Sequence, residues 1–188
     1  MAMTSTPLAT LVARAREGDS AAWETIVGRY ERLVWSVLRG LGLRLSDAED
    51  VAQTTWFRLV DQLDRLREPE AIGSWLAMTA RREGISVLRR SARQIPVADF
   101  DDQSEPTALE PGERLFRTEE QRSVRQALGA ISERCQQLLR LWSLDPRPSY
   151  DEISAAMGGM PTGSIGPTRG RCLEQLRSEL AVLGINER

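Results

Sequence analysis

The sequence predicts an all-α protein of two small helical domains joined by an acidic flexible linker. Apolar residues recur at helical spacing along most of the chain, and strand-like alternation is missing. Ser or Thr also precedes Glu or Gln by three residues where that periodicity begins: Ser46 with Glu49, Thr118 with Gln121 and Ser149 with Glu152. Each pair can form a capping box, in which the hydroxyl caps one free amide and the acid or amide side chain reaches back to another.

In the first block, residues 1–93, Val27, Tyr30, Val34 and Val37 share one helical stripe, and Val51, Thr55, Leu59, Leu63 and Leu66 share a second. A third run, "GSWLAMTARREGISVLRRSAR", sets Trp75, Leu76, Thr79, Ile85 and Leu88 along one flank. Three such helices enclose one core. Residues 94–117 carry three prolines and many acids without a sustained helical period, so they read as the linker. The second block, residues 118–188, opens with a stripe of Val124, Leu128, Ile131, Cys135, Leu138 and Leu139.

After "SLDPRPS" two helices, Tyr150 to Met157 and Ile165 to about Leu180, flank "GGMPTG", a helix-turn-helix pattern. Gly158 or Gly159 can close the first helix in the left-handed conformation, and Ser164 suits the N-cap of the second. Pro167 then falls at the third helical position, where its missing N–H removes no helical bond. Gly166 and Gly170 thin the first turns, so Thr168, Arg169 and Arg171 can approach phosphates and base edges.

The 188 residues contain no histidine and two cysteines, Cys135 and Cys172. Without histidine the usual zinc, haem and imidazole-based sites lose their commonest ligand or base, and no cluster of other metal-binding residues stands in. No metal, no cofactor and no enzymatic activity are expected. Both cysteines fit buried packing, with a disulfide or redox sensor as the alternative. No stretch approaches the roughly 18 apolar residues of a membrane span, which points to a cytoplasmic protein without membrane insertion.

A net charge of −2 conceals its distribution. Residues 1–93 hold 14 arginines against 12 acids, residues 94–119 hold 2 against 7, and residues 120–188 hold 9 against 8. Every basic residue is arginine. Arg81, Arg82, Arg89, Arg90 and Arg93 face only Glu83 on the third run, a local excess that steers toward DNA unless the face is merely solvated. Asp47, Glu49 and Asp50 fall in the first turn of "SDAEDVAQ", where the helix dipole favours acids; with Thr54 they also offer an edge to a basic protein partner.

Together "DAEDVAQTTWFRLVDQLDRLR", "SWLAMTARREGISVLRR", the acidic linker and "SIGPTRGRCLEQLR" resemble bacterial RNA polymerase sigma factors of the extracytoplasmic-function (ECF) group of the sigma-70 family. The likeness runs from about Leu11 to Leu180. It implies region 2 over 1–93, a linker over 94–117, region 4 over 118–188, and a non-enzymatic role in transcription initiation. By the same resemblance Asp47, Glu49, Asp50 and Gln53 bind the core polymerase, a partner with β and β′ subunits. The "RLREPEAIGSW" loop with Arg81, Arg82, Arg89, Arg90 and Arg93 takes the opened downstream promoter element. Ser164, Pro167, Thr168, Arg169 and Arg171 read the upstream element. An anti-sigma factor is a further candidate partner, and a stand-alone helix-turn-helix regulator, which would bind DNA without polymerase, is the alternative class.

The family has one glycine before the "MP" of the turn, whereas this chain has Gly158 and Gly159; the extra residue is expected to loosen the turn. Promoter elements centred about 18 base pairs apart are separated by roughly 60 Å. The linker, with five more acids than arginines over Gln94–Phe116, reaches at most about 80 Å and suits a positively charged channel of the polymerase.

Overall fold

The computed structural model describes residues 6–94 and 119–185; the expected linker lies outside them except for Gln94, which ends a helix. Eight α-helices and one 3-10 turn make up the described residues, which contain no strand. The helices are α1 (Leu8–Arg16), α2 (Ser20–Arg39), α3 (Leu45–Leu63), α4 (Ile72–Gln94), α5 (Glu119–Ala130), α6 (Glu133–Trp142), α7 (Tyr150–Ala156) and α8 (Thr162–Val182).

Asp19 starts α2 by accepting from the amides of Ala21 and Ala22 at 3.0 and 3.1 Å, and Arg14 bonds the same carboxylate at 2.8 Å. The Ala22 amide first, Arg14 next and the Ala21 amide last hold the Asp19 carboxyl below its usual pKa. The first core then forms from Val12, Ile26, Val34, Val37 and Leu38 against Leu59, Ile72 and Leu76. Arg16 ties α1 to the end of α3 through the carbonyls of Leu63 and Leu66, at 3.0 and 2.6 Å.

The expected stripes shift in detail. Ile26 takes the fully buried place expected of Val27. On α4 the core face runs through Ile72, Leu76, Ala77 and Ala80, leaving Trp75, Thr79 and Ile85 half-buried and Leu88 exposed. In the second group Ile131, Cys135 and Leu138 are buried as expected, but Val124 is exposed.

Of the three capping boxes, Ser149–Glu152 forms in full: the Glu152 amide donates to the Ser149 hydroxyl at 3.2 Å, and the Ser149 amide donates to the Glu152 carboxylate at 2.6 Å. Ser46–Glu49 does not form. Helix α3 begins earlier, at Leu45 behind Arg44, so Ser46 is already inside it. Thr118 lies outside the described residues.

Cys135 of α6 and Cys172 of α8 form a disulfide with a Cα–Cα distance of 5.3 Å, the alternative to simple packing. The two helical groups also pack on each other, chiefly α4 on α7, and their cores merge. Small residues permit the approach: Gly73, Ala77 and Ala80 are buried on α4, and Ala155 and Ala156 on α7. Arg32 spans the two groups to the Asp145 carbonyl at 3.2 Å, and Arg81 reaches the Ala156 carbonyl at 3.5 Å.

Candidate functional site

The outer face of α3 carries Glu49, Asp50 and Gln53, all exposed. They rim a groove of about 600 Å³ whose floor is apolar: Trp23, Trp35, Ala52, Trp56, Phe57 and Val60. The rings of Trp23 and Trp56 meet edge to face at 6.5 Å. Phe57 and Val60 remain 62% and 52% exposed, large values for such side chains, so this face suits a protein partner better than solvent. Asp47 is turned away from the groove. It is half-buried and, with Asp50, Thr54, Glu83 and Arg90, lines a separate cavity of about 490 Å³ between α3 and α4. Asp50 borders both.

Along α4 the arginines divide. Arg82, Arg89 and Arg90 are exposed, whereas Arg81 is half-buried in the contact with α7 and lies against Gly158. Arg93 belongs to α4, but its side chain lies outside the described residues. Glu83 pairs with Arg58 at 3.2 Å and approaches Arg82 at 3.8 Å, so it neutralises part of the expected positive face.

The turn between α7 and α8 absorbs its additional glycine. Gly158 and Gly159 both adopt positive φ, 77° and 86°. The Gly158 amide bonds the Ala155 carbonyl at 3.1 Å and the Gly159 amide bonds the Ser154 carbonyl at 2.8 Å, a Schellman closure that satisfies the end of α7. The expected loosening is therefore not seen.

Helix α8 starts three residues sooner than its sequence suggests, behind Pro161. Ser164 is not the N-cap; its hydroxyl donates back to the Pro161 carbonyl at 2.7 Å. Pro167 is accordingly the sixth helical residue, and its missing N–H removes the i+4 bond that the Gly163 carbonyl would otherwise accept, contrary to the neutral position expected. Nothing would lie within 4 Å of a Cβ built at Gly163, Gly166 or Gly170, so this end of α8 is open to an incoming surface. Pro167 and Arg171 are exposed there; Thr168 is half-buried and accepts from Arg171 at 3.4 Å.

Arg169 has a different setting. Its guanidinium lies over the Trp142 ring, 4.0 Å from the centroid, and Arg147 from the α6–α7 loop lies over the same ring at 4.5 Å. Tyr150 meets Trp142 edge-on at 6.0 Å. Sequence reasoning missed Trp142 and Arg147, and also the tryptophans of the α3 groove. Trp56 and Phe57 fall off the Val51, Thr55, Leu59 stripe, which was the available signal that they face outward.

Residues 26–94 match the family described as Sigma-70 region 2. ECF RNA polymerase sigma-E factors of Escherichia coli (strain K12) and Salmonella typhimurium (strain LT2) are each 28% identical to this chain over 183 residues, covering 92% of it and 94% of theirs. The chain is an ECF sigma factor of the sigma-70 family. The matched region 2 residues run through α2, α3 and α4, so they include the α3 groove and the α4 arginines of this sigma factor. Its fold is that of a solved structure of CnrH in complex with the cytosolic domain of CnrY, with a TM-score of 0.56, 20% identity, and coverage of 92% of this chain and 96% of that one. As in other sigma factors the role is non-enzymatic. No helix among the described residues is long and apolar enough to cross a membrane.

Proposed function

We infer that this sigma factor binds core RNA polymerase, directs it to specific promoters and helps open the DNA, with region 2 over 1–93, the linker over 94–117 and region 4 over 118–188. The likeness to sigma-E factors along 92% of the chain, taking in both helical groups, carries this reading. The groove on α3 docks the polymerase: its apolar floor supplies buried area, and Glu49, Asp50 and Gln53, with Asp47 beside them, orient a basic partner surface. The β and β′ subunits are the proposed owners of that surface.

Arg82, Arg89 and Arg90, with Arg81 and Arg93 on the same helix, take the opened downstream element. Unstacking a base step costs a few kcal/mol, part of which returns when the strand meets these cations. Ser164, Pro167, Thr168, Arg169 and Arg171 on α8 form the upstream reader, supported by the bare end of that helix. An anti-sigma factor is a candidate further partner; the support is that CnrH is bound to the cytosolic domain of CnrY.

Run-off transcription with purified core polymerase on a randomised promoter library tests the proposal. Recovered templates should share two elements about 18 base pairs apart. Failure to initiate at any site overturns it, and binding of the same duplexes without polymerase would favour a stand-alone regulator. Asp50→Ala should weaken core binding, and Arg90→Ala should weaken promoter opening with core binding intact.

A further inference from the structure

Two cations share one aromatic ring in this protein. Arg147 and Arg169 both lie over Trp142, and neither has a carboxylate partner among the described residues. Cation–π attraction holds each guanidinium to the ring, but the arrangement also brings two like charges together. Such a site is incomplete. An anion within reach of both arginines would relieve their repulsion and take the hydrogen bonds they have to give.

Stacking matters for which bonds remain. A guanidinium presents its five N–H donors in its own plane, and a ring against its face leaves those donors free. An ion pair would have used them. Trp142 thus fixes the direction of two arginine forks without consuming their donors.

The position in the fold identifies the anion. Arg147 precedes α7, the first helix of the helix-turn-helix, and Arg169 stands in the second turn of α8. In this motif the first helix crosses the nucleic-acid backbone while the start of the second enters the groove. The ring therefore joins a backbone-side arginine to a recognition-helix arginine.

We propose that Trp142, Arg147 and Arg169 form a clamp for a backbone phosphate of duplex DNA at the edge of the upstream element, with Trp142 as the positioning residue. The clamp rests on the assignment of α7 and α8 as the DNA reader, and it makes Arg169 a phosphate contact while leaving base reading to its neighbours. Arg147 becomes a DNA contact outside the recognition helix.

The test uses the full chain assembled with core polymerase and a promoter duplex recovered from the randomised library, with affinity measured by anisotropy against salt concentration. Arg147→Ala and Arg169→Ala should each weaken binding roughly ten-fold and lower the slope of log K against log salt by about 0.9. The loss should be the same on duplexes that differ only in the upstream element. Trp142→Ala should act like an arginine loss although it removes no charge, and Trp142→Phe, which keeps a ring, should restore most of the affinity.

An unchanged salt slope in Arg147→Ala, or a loss confined to one base identity in Arg169→Ala, overturns the clamp. Should Trp142→Ala fail to fold, Trp142→Phe and Arg147→Ala still decide the matter. Scrambling the upstream element in the wild-type complex separates the two levels. Indifference to scrambling removes the sequence-reading assignment, while the Arg147→Ala salt slope still upholds or overturns the phosphate site.

Discussion

Replacing Gly73 by alanine should drive the two helical groups apart. Gly73 is buried in the first turn of α4, where a Cβ would come 2.8 Å from the Tyr30 ring and would overlap the Glu152 carboxylate. That carboxylate cannot retreat freely, because it accepts from the Ser149 amide at 2.6 Å to complete the cap of α7. Crowding a packed contact costs about 1–3 kcal/mol, and losing the cap costs about 1 kcal/mol. Helix α4 itself gains about 0.5–1 kcal/mol when its glycine becomes alanine, so the cost falls on the contact and not on the helix.

A net loss of about 2 kcal/mol moves the balance between packed and separated groups roughly thirty-fold. Small-angle X-ray scattering reads this directly. A compact chain of this length has a radius of gyration near 16 Å, and the variant should be clearly larger. Gly28→Ala is the control: its Cβ meets nothing within 4 Å, so it should leave the radius unchanged. An unaltered radius in Gly73→Ala would refute the reasoning. The outcome bears on promoter use, because α4 and α7 are in contact here whereas their proposed DNA elements lie about 60 Å apart.

Other expectations concern stability. Ser36 is buried on α2 and its hydroxyl has no hydrogen-bond partner among the described residues, so Ser36→Ala should stabilise the protein by about 1 kcal/mol in a denaturant melt. Burial pushes the Tyr30 phenol up to about 12, with Glu152 adding and Arg29 opposing. Because the folded pKa lies above the ordinary value of 10, the phenol's contribution to stability is complete below pH 10 and is lost as pH rises toward 12. Tyr30→Phe should abolish that loss in melts across the same range. Reducing the Cys135–Cys172 bridge, which spans 37 residues, should lower the stability of the second group by about 4 kcal/mol on the chain-entropy argument, seen as an earlier melt in dithiothreitol.

Helical class, the two groups, the Ser149 cap and the turn at Gly158–Gly159 were legible in the sequence because each rests on interactions within a few residues. Spacing puts Val51, Thr55 and Leu59 on one face, and glycines permit positive φ, whatever else the chain does. The start of α8 was not legible. Pro161 offered an entry three residues earlier, and local rules rank such starts too closely to choose between them. Tertiary structure alone decided the rest: Arg81 is drawn to α7, Asp47 turns from the groove that Glu49 and Asp50 rim, and Arg169 finds Trp142. Those outcomes depend on which distant surfaces meet, and a helix period says which side of a helix faces inward but not what it will face.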